Sequence, residues 1–587
     1  MALNIIPHDD FQLTDGEKRM LNKIKRIYET TERECYLYVQ PRIRNLNPDY
    51  ILVDSLKGVC IIEIKDWSIE YLERVTRREA FARDGNKYDN PIFKANKYYN
   101  LVKGVFLSED NLLNDMGELK FKLYSKVVFT NLSSFDIESN NFLDILYQPP
   151  SEYITSDSIQ SLKIDELFNI ETCNLENSDL QVIRSLLFPE VKVSEKLNED
   201  NGLRIIKALD AKQEKFAKKI PYGHYMITGV PGSGKTVILI TRALYLAERN
   251  PDWKIRIVTY NKALSQKIEL RLKQLEEECT FMNIHLENIS VATFHKTALD
   301  IANIRVPKNP SKEWWDTTLP SIALERAVPT FDAILIDEYQ DFYEDWLKVC
   351  IKICKNYSYK NSKNEQVEGI NLFLAGDRLQ SIYNPKETSW KSLGIDMRGR
   401  SELLKKTYRT GKNHINLALD FLMLEPSLKK EVENFYEGRT DIDNESNVNN
   451  EVKCLEGNLN SINMLIRDLL SKCGYKPNNI IILCKTHKAC EELYSHLDSS
   501  IKNITQITKE PDDKHILITT YHSAKGLEAP VCILTDASRF KEKLVKDDDT
   551  RERKLLYVGM TRASERLYIH AKSFSIDSFA KQLQRLI

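Results

Sequence analysis

The stretch GVPGSGKT at residues 229–236 has the spacing of a loop that binds nucleotide phosphates. It follows the apolar run YMIT and precedes VILITRALYLA, so it joins a predicted strand to a predicted helix, as such a loop requires. Lys235 is expected to reach the β- and γ-phosphates, and Thr236 to hold Mg²⁺. Glycines let the backbone curl so that its N–H groups face phosphate oxygens. The predicted phosphate-binding loop residues are Gly229, Gly232, Ser233 and Gly234.

A second motif, AILIDEYQD at 333–341, combines an apolar strand with two carboxylates at its end. Both carboxylates then project at the carboxyl edge of the strand, where α/β sheets bind ligands. We predict that Asp337 binds Mg²⁺ and that Glu338 orients or deprotonates the attacking water. A solvated acidic turn is the alternative interpretation, which the phosphate-binding loop in the same chain disfavours.

A third group of residues lies in NPDYILVDSLKGVCIIEIKDW at 47–67. If LKG is the turn of a β-hairpin, Asp49 falls roughly opposite Ile64, one place from Glu63. Glu63 and Lys65 share a face because side chains alternate along a strand. Two carboxylates can hold a divalent metal that activates water, and the lysine can position the nucleophile. A salt-bridged structural hairpin is the alternative.

The elements that must position these residues follow from the apolar pattern. From about residue 206 onward, short apolar runs alternate with amphipathic helical stretches, which predicts parallel α/β layers. The predicted strands are YMITG, IRIVTY, ISVATF, AILIDE, NLFLAG, IIILCK, ILITTYH, VCILTD and RLYIHA. The chain is therefore predicted to be of the α/β class, with an N-terminal domain at 1–170, a connector at 171–205, and α/β domains at 206–400 and 401–587.

Composition limits the classes of protein to consider. A net charge of −1 means that any nucleic-acid binding needs a local positive groove. The N-terminus has no secretory pattern and no apolar run approaches about 18 residues, so we expect a cytoplasmic protein that does not span a membrane. The odd count of 11 scattered cysteines favours free thiols over a zinc or iron–sulfur site.

The motif DEYQD resembles that of UvrD/Rep-type superfamily 1 helicases. The resemblance continues in order over residues 206–575 through short motifs that are specific as a set. These are LDAKQEKFA, TYNKAL, TFHK, GDRLQSIY, TYRT, TTYHSAKGLEAP and LLYVGMTRA. The resemblance implies two RecA-like motor domains, ATP as the cofactor, and movement along single-stranded DNA in the 3′-to-5′ direction.

The resemblance also implies roles for individual residues. The resemblance implies that Gln380 senses the γ-phosphate and that Arg409 and Arg562 are arginine fingers that contact it. An arginine finger increases the rate of hydrolysis by about 10³–10⁵. Around the base and sugar, the resemblance implies Gln213 at the adenine edge, Tyr408 stacked on the adenine and Glu528 near the sugar. The candidates for stacking on DNA bases, each equally well explained as core, are Tyr260, Phe294, His295, Tyr383 and Trp390.

The motor motifs depart from the pattern of the large repair helicases. The segment NPKETSWKSLGIDMRGRS follows GDRLQSIY in place of the usual element, and the stretch between Arg409 and Thr519 leaves little room for an accessory insertion. This compact motor favours translocation over strand separation.

The hairpin resembles the PD-(D/E)XK nuclease core, and in particular the nuclease-related domain called NERD. Glu17 in DGE matches the glutamate of the first helix, and NPIFKANKYY at 90–99 resembles NPxxQAxxY with Lys94 in place of glutamine. The resemblance implies a deoxyribonuclease in which Asp49 and Glu63 bind Mg²⁺, with Mn²⁺ as an alternative.

The leading hypothesis is an enzyme with two chemistries, ATP hydrolysis that drives movement along single-stranded or tailed duplex DNA and Mg²⁺-dependent cleavage of DNA. Its role would lie in anti-phage defence or DNA repair. A second hypothesis makes the ATPase a switch that gates the nuclease or a protein partner without processive movement. A third makes the N-terminal domain a non-catalytic DNA-binding module. The sequence predicts no oligomeric state and does not separate RNA from DNA.

Overall fold

A computed structural model provides the structure of the chain. It describes residues 3–6, 13–41, 47–197, 204–218, 223–278, 286–360, 366–381, 390, 392–395, 397, 400–408, 410–435, 443–444, 450–508, 514–535, 546–575 and 578–587. These described residues fall into two compact units. The first unit holds those within Met1–Pro221, Ile240–Pro251 and Leu272–Leu286, and the second holds those within Tyr222–Leu239, Asp252–Arg271 and Glu287–Ile587.

The first unit is built on a mixed sheet with the strand order β1-β2-β3-β4-β8-β9, beside the meander β5-β6-β7 and the hairpin β10-β11. Its strands are β1 (Leu3–Ile6), β2 (Cys35–Val39), β3 (Tyr50–Asp54), β4 (Gly58–Lys65), β5 (Leu72–Val75), β6 (Glu79–Ala82), β7 (Lys87–Asp89), β8 (Leu123–Phe129), β9 (Glu152–Ile154), β10 (Lys192–Leu197) and β11 (Arg204–Ala208). Its helices are α1 (Asp15–Ile27), α2 (Pro91–Leu107), α3 (Ser134–Ser139), α4 (Leu143–Leu146), α5 (Ile164–Leu167), α6 (Asn177–Leu187) and α7 (Ala211–Ala217).

Local sequence signals explain where the two helices nearest the hairpin begin. Thr14 and Glu17 form a capping box at the start of α1, each satisfying a backbone N–H of the other. Asn90 caps α2 by accepting a hydrogen bond from the Ile92 N–H, and Pro91 fills the first helical position. Glu17 and Lys94 are thereby held in the first turns of two helices.

The hairpin β3-β4 turns one residue earlier than the sequence predicted. The turn occupies 55–57 rather than LKG at 56–58, and Gly58 is the first residue of β4. Gly58 has a φ of +101°, and a Cβ atom there would lie 2.3 Å from the carbonyl oxygen of Lys122. Only glycine fits this position, because no side chain can approach the backbone so closely.

The stretch 171–205, expected from the sequence to be a connector, contains helix α6, strand β10 and the start of β11. Strands β10 and β11 pair in antiparallel fashion across the expected boundary. In α6, Leu180, Ile183 and Leu187 are buried. The segment is therefore part of the folded first unit rather than an open linker.

The rest of the chain adds strands β12 (Tyr225–Gly229), β13 (Ile255–Thr259), β14 (Ile289–Thr293), β15 (Ala333–Asp337), β16 (Asn356–Lys360), β17 (Gln366–Ile370), β18 (Leu372–Gly376), β19 (Ser401–Leu404), β20 (Lys406–Thr407), β21 (Asp443–Asn444), β22 (Glu451–Glu456), β23 (Ile480–Cys484), β24 (Thr505–Ile507), β25 (Ile516–Thr520), β26 (Ala529–Leu534) and β27 (Ala563–Ala571). Its helices are α8 (Lys235–Arg249), α9 (Lys262–Glu278), α10 (Phe294–Ala302), α11 (Leu319–Arg326), α12 (Glu344–Ile353), α13 (Lys412–Met423), α14 (Pro426–Phe435), α15 (Asn460–Ser471), α16 (His487–His496), α17 (Ser499–Lys502), α18 (Lys546–Met560) and α19 (Phe579–Leu586).

The second unit contains two parallel sheets. The first has the order β14-β13-β15-β18-β12-β19 and the second the order β22-β27-β26-β23-β25-β24. Every residue of β15, β18, β23 and β25 is buried, as expected for parallel strands that helices cover on both faces. All nine strands predicted from the apolar runs are confirmed, and the α/β class of this part of the chain with them.

The first parallel sheet reaches beyond the boundary at residue 400 that the sequence indicated. Strand β19 pairs in parallel with β12, so Ser401–Leu404 belongs to the first sheet rather than to the second. Gly229, the last residue of β12, has no room for a side chain, because a Cβ atom there would lie 2.5 Å from the Leu404 carbonyl oxygen. Among the described residues, no helix is both long and apolar enough to span a membrane.

Candidate active sites

The phosphate-binding loop joins β12 to α8, as its motif predicted. Gly232 and Gly234 have φ values of +73° and +84°, which favour glycine. A Cβ atom on Gly232 would lie 2.8 Å from Thr410 Oγ1 and 2.9 Å from Thr407 Oγ1. Ser233, between the two glycines, is fully buried. The loop backbone is therefore fixed in its turned conformation and closely packed from outside.

The two ends of the magnesium site predicted from the sequence lie together. Thr236 Oγ1 donates a hydrogen bond of 2.8 Å to Asp337 Oδ2, joining the start of α8 to the end of β15. One hydroxyl and one carboxylate oxygen at this edge fit a Mg²⁺ ion that also binds phosphate oxygens. Lys235 Nζ donates to the carbonyl oxygens of Gly229 at 2.9 Å and Val230 at 3.0 Å, which holds its ammonium group over the loop.

The two carboxylates of DEYQD differ in their electrostatic surroundings. Burial, followed by the charge of Glu338, raises the pKa of Asp337 to about 7. Burial alone would also raise the pKa of Glu338, but the positive charges of Lys525 and Lys235 outweigh it and hold that pKa below its usual value. Glu338 also has a left-handed backbone, with φ of +56°, which is uncommon outside glycine. Glu338 is thus kept ionised, as a group that accepts a proton from water must be.

The motif GDRLQ packs directly on DEYQD. Gln340 Nε2 donates to Glu338 Oε2, and Gln340 Oε1 accepts a 3.2 Å hydrogen bond from the Asp377 N–H. Gly376 has no room for a side chain, because a Cβ atom there would lie 2.1 Å from Gln340 Oε1. Gln380 ends the short turn Arg378–Gln380, which follows Asp377.

Arg562, just beyond the end of α18, contacts Gln380. Its Nη2 donates to Gln380 Oε1 at 3.0 Å, while its Nε and Nη1 donate to the carbonyl oxygens of Val558 at 2.9 Å and Leu527 at 3.1 Å. Tyr557, on the same helix, donates a 3.2 Å hydrogen bond to Asp377 Oδ2. The second parallel sheet thus contributes a guanidinium group to the site built on the first.

Lys525 is a site residue that the sequence reasoning missed. It is 1% exposed, donates to Asp341 Oδ2 and to the Gln380 carbonyl oxygen at 2.8 Å, and lies 3.7 Å from Glu338 Oε2. It stands in TTYHSAKGLEAP, from which we selected only Glu528. The signal that could have identified Lys525 is its place next to a glycine in that motif.

Other predicted nucleotide contacts are only partly accounted for. Tyr408 donates its N–H to the Gly232 carbonyl oxygen at 3.0 Å, which sets it beside the loop, but its side chain is buried. Glu528 forms an ion pair with Lys267 at 3.4 Å. Gln213 belongs to the first unit, where its Oε1 accepts from the Asp210 N–H. Arg409 lies outside the described residues.

Of the described aromatic residues suggested for the DNA track, Phe294 belongs to the core, whereas Tyr260, His295 and Trp390 are only partly buried. Phe294 is fully buried and stacks on Trp346, with ring centroids 4.3 Å apart and an angle of 7° between the rings. His295 and Tyr260 contact the same indole. Trp390 contacts Tyr339 at the edge of the same cluster. Tyr383 lies outside the described residues.

In the first unit, Asp49, Glu63 and Lys65 converge with a register that differs by one residue from the prediction. Tyr50 pairs with Ile62, so continuation of that ladder brings Asp49 opposite Glu63 rather than Ile64. The side chain of Asp49 also reaches the next residue of β4, because its Oδ2 accepts a 2.5 Å hydrogen bond from the Ile64 N–H. The cause of the difference in register is the earlier turn at 55–57.

Glu63 is held by two lysines. Its side chain is fully buried, and its Oε1 lies 2.7 Å from Lys65 Nζ and 2.7 Å from Lys94 Nζ. Within the described chain, its Oε2 has no hydrogen-bond partner. Lys94, which replaces the glutamine of the NPxxQ pattern, thus contacts the predicted metal ligand.

Glu17 and Gln40 complete the surroundings of these carboxylates. Glu17 is 6% exposed, and its oxygens accept from the Thr14 N–H at 2.7 Å and from Gln40 Nε2 at 3.3 and 3.4 Å. Gln40 has φ of +44° and donates its own N–H to the Asp49 carbonyl oxygen at 2.7 Å. It therefore links Glu17 to Asp49, a role that no motif in the sequence indicated.

The arrangement fits a divalent cation held by two protein carboxylates. Burial, followed by the charge of Glu63, raises the pKa of Asp49 to about 7. Among the described residues, no cluster of three or more histidine, cysteine, aspartate or glutamate side chains is arranged to hold a metal. Asp49 and the unpaired Glu63 Oε2 supply two hard oxygens, and Mg²⁺ commonly takes its other ligands from water and phosphate.

Asp54, the other carboxylate of the hairpin, is structural. It is fully buried and accepts hydrogen bonds from Arg33 Nε and Nη2, both at 2.8 Å, and from the Tyr28 hydroxyl at 2.7 Å.

Helix α7 is fixed to the first unit by a buried ionic cluster. Arg184 Nη2 donates to Glu214 Oε2 at 2.5 Å, and Lys218 Nζ lies 2.9 Å from both Glu214 Oε1 and Glu190 Oε1. The Tyr38 hydroxyl on β2 lies 3.0 Å from Arg184 Nε and 3.3 Å from Glu214 Oε2. The helix that carries Gln213 is thereby joined to β2, the strand that Gln40 follows.

Comparisons with known proteins agree with the motifs of the second unit. Residues 209–318 match the UvrD/REP helicase N-terminal domain, and residues 496–573 match the UvrD-like helicase C-terminal domain. The chain therefore carries both UvrD/Rep-type helicase domains. The first of these includes the phosphate-binding loop, and the second includes Lys525 and Arg562.

Individual relatives are similar over limited stretches. The ATP-dependent DNA helicase srs2 of Schizosaccharomyces pombe is 32% identical over 133 residues, which make up 20% of this chain and 15% of that protein. The solved structure of PRRSV helicase aligns with 60% of this chain and 52% of that chain, at 14% identity and a TM-score of 0.27.

Proposed function

We propose that the second unit is an ATP-driven motor of superfamily 1 that translocates along single-stranded DNA in the 3′-to-5′ direction. The observation that carries this proposal is the 3.0 Å contact between Arg562 and Gln380. It joins a guanidinium group of the second parallel sheet to the sensor of the first. A site whose parts come from two sheets can be made and broken by the nucleotide that binds between them.

Each residue then has a defined task in hydrolysis. Lys235 and Arg562 offset the charge that spreads over the transferring phosphoryl group, while Glu338 orients the attacking water and accepts its proton. Thr236 and Asp337 would hold Mg²⁺, which neutralises charge between the β- and γ-phosphates. Gln380 senses the γ-phosphate and relays its departure to Lys525 and Arg562, which both contact it.

The matches to the two helicase domains, and the similarity to the ATP-dependent DNA helicase srs2, favour DNA as the polymer on which the motor moves. The stretch between Arg409 and Thr519 leaves little room for an accessory insertion, which favours translocation. On a tailed duplex, translocation would in turn separate the strands. We further propose a cellular role in anti-phage defence or DNA repair, toward which a motor and a nuclease in one chain both point.

For the first unit we propose a NERD-type deoxyribonuclease. Asp49 and Glu63 would bind Mg²⁺ or Mn²⁺, which supplies Lewis acidity for attack on a phosphodiester. Lys65 offsets charge on the scissile phosphate, and Glu17 with Gln40 holds Asp49 in place. The unpaired, buried Glu63 Oε2 is the observation that supports a cation at this site.

A second candidate function is an ATP-gated nuclease without processive movement. It is favoured by the attachment of α7, the helix of the adenine-reading motif, to the sheet of the first unit through Glu214 and Tyr38. In this candidate function, adenine binding at Gln213 would act on the first unit through α7.

The test is an assay with a labelled 3′-tailed DNA duplex, Mg²⁺ and either ATP or no nucleotide. Products are resolved on native and denaturing gels for the parent, Glu338→Gln and Asp49→Ala. The proposal predicts ATP-dependent fragments that disappear in either variant, with strand release retained by Asp49→Ala. Cleavage that proceeds equally in Glu338→Gln but requires bound ATP would support the gated nuclease instead.

A further inference from the structure

The meander β5-β6-β7 is inserted between β4, which carries Glu63, and α2, which carries Lys94. Its inner side is fixed, since Leu72, Val75 and Ala80 are buried in a hydrophobic cluster with Ile92. The other side faces solvent. An insertion held this firmly presents its outer residues in a constant geometry beside the candidate nuclease site.

The outer side carries a cross-strand row of a cation, an aromatic ring and a second cation. Arg74 pairs with Phe81, and Phe81 pairs with Lys87. The Arg74 guanidinium carbon lies 4.4 Å from the centre of the Phe81 ring, and Lys87 Nζ lies 5.8 Å from it. These are cation–π distances, so the ring helps to hold both cations in place.

A second such group adjoins the first at the β5-β6 turn. Arg78 lies 6.0 Å from the ring centre of Phe93 on α2, and Lys97 lies 4.6 Å from the same ring. Arg77 is exposed beside Arg78. We call the set Arg74, Arg77, Arg78, Phe81 and Phe93 the arginine–aromatic surface.

The lysines of this region are neutralised and the arginines are not. Lys87 pairs with Glu79 at 2.6 Å, and Lys97 pairs with Asp89 at 3.1 Å. Among described residues, no carboxylate forms an ion pair with any of the three arginines of the surface. This unneutralised positive cluster marks a place where an anionic partner is complementary.

The surface is rigidly connected to the candidate nuclease site. The Asn90 N–H donates to the Arg78 carbonyl oxygen at 2.8 Å, and Asn90 Nδ2 donates to the Thr76 carbonyl oxygen at 2.8 Å. Asn90 also caps α2, and Lys94 follows one turn later in contact with Glu63. A ligand on the surface would therefore lie at a fixed offset from Glu63.

We propose that the arginine–aromatic surface binds single-stranded nucleic acid. The arginines contact backbone phosphates, and Phe81 and Phe93 stack on unpaired bases, the combination by which proteins grip single strands without reading sequence. The inference deepens the nuclease function proposed above, since it makes a single strand the polymer presented to Asp49 and Glu63. It concerns a surface of the first unit, separate from the motor motifs.

The direct test is photo-crosslinking in the full chain. p-Azidophenylalanine is installed at position 81 and, as a control, at position 135, where Phe135 is 76% exposed in the same unit and flanked by Ser134 and Asp136. On irradiation with labelled single-stranded DNA, crosslinks at position 81 and none at position 135 are expected. Equal crosslinking at both positions, or none at position 81, would overturn the proposal. Crosslinks with blunt duplex as strong as with single strand would overturn the single-strand assignment.

The energetic test reverses charge at Arg77 and Arg78. Arg77→Glu/Arg78→Glu in an Asp49→Ala background should weaken binding of a long single-stranded oligonucleotide roughly tenfold. It should also reduce the salt slope by about 1.4, which is about 0.7 for each phosphate that the variant no longer neutralises. Lys25→Glu/Arg26→Glu, at the exposed end of α1, is the charge-matched control and should bind like the background. An unchanged slope in the Arg77/Arg78 variant would refute the surface.

Two further readouts keep this inference distinct from the proposed function. DNA-stimulated ATP hydrolysis should be retained in the Arg77/Arg78 variant, and its disappearance there would assign these arginines to the motor instead. If the position-81 variant forms the crosslink but the parent chain never cleaves DNA, the nuclease activity fails and the binding surface stands.

Discussion

Glu63 has two ammonium groups on one carboxylate oxygen, and a cation must compete with both. Lys65 is expected from the ExK pattern, but Lys94 replaces a neutral glutamine. At about 4 Å, two unit charges near a protein surface interact by several kcal/mol. Removal of one lysine should therefore change the affinity of this site for a cation.

We therefore predict that Lys94→Gln binds Mn²⁺ roughly tenfold more tightly than the parent, because one competing positive charge is removed. Isothermal titration with Mn²⁺ measures this without reference to activity. Lys97→Gln, on the same helix but paired with Asp89, is the matched control and should bind Mn²⁺ like the parent. Weaker binding by Lys94→Gln would mean that Lys94 supports the site rather than competing for it.

The raised pKa of Asp49, about 7, predicts a pH-dependent stability. In the unfolded chain this carboxyl ionises near pH 4, so between about pH 4 and 7 the folded state binds more protons and the free energy of unfolding falls as pH rises. Asp49→Asn removes the buried charge. It should raise the melting temperature at pH 8 in the absence of divalent metal and leave it unchanged at pH 4. The same increment at both pH values would contradict this account.

Motifs predicted the residues fixed by local backbone, and the family resemblance also identified Gln380 and Arg562, which meet only in the folded chain. The glycines, Lys235, Thr236 and Asp337 follow from one loop and one strand end. Lys525 and Gln40 do not, because each acts on elements distant in sequence.

At the scale of elements, α7 is held by charges rather than by apolar packing alone. Burial would raise the pKa of Glu214, but Lys218 and Arg184 together hold it below its usual value. Breaking such a cluster on one side leaves a buried charge without its partner.

We predict that Glu214→Gln destabilises the first unit by about 3–5 kcal/mol, the usual effect of removing one partner of a buried ion pair. Chemical denaturation followed by fluorescence measures it. The control is Asp89→Asn, which breaks the exposed pair with Lys97 in the same unit and should leave the unfolding midpoint nearly unchanged. A Glu214→Gln effect no larger than the control would show that α7 does not depend on the cluster.

Strands were predictable because buried parallel strands are continuous apolar runs, and every such run became a strand. The hairpin register was not, because alternation fixes which face a residue occupies but not where the turn begins. A turn at 55–57 instead of 56–58 moved Asp49 opposite Glu63. The folded nature of 171–205 was missed because Arg184 of this segment contacts Tyr38 and Glu214, which are distant in sequence.

At the scale of the whole molecule, the second unit contains a candidate ATP site to which both parallel sheets contribute. Arg562 and Lys525 contact Gln380 there, so the proposed closure would depend on groups of both sheets. The first unit contains the carboxylate site, the arginine–aromatic surface and α7. We propose that the chain combines a nucleotide-dependent closure with a separate site suited to phosphodiester chemistry.

The most direct measurement is the rate of ATP hydrolysis with and without single-stranded DNA, for the parent and for Arg562→Ala. We predict stimulation by DNA in the parent and a fall of about 10³–10⁵ in Arg562→Ala with ATP binding retained. Arg566→Ala, a nearby arginine paired with Glu451, should behave like the parent. Hydrolysis that ignores DNA, or that survives in Arg562→Ala, would contradict a motor whose two sheets close on ATP.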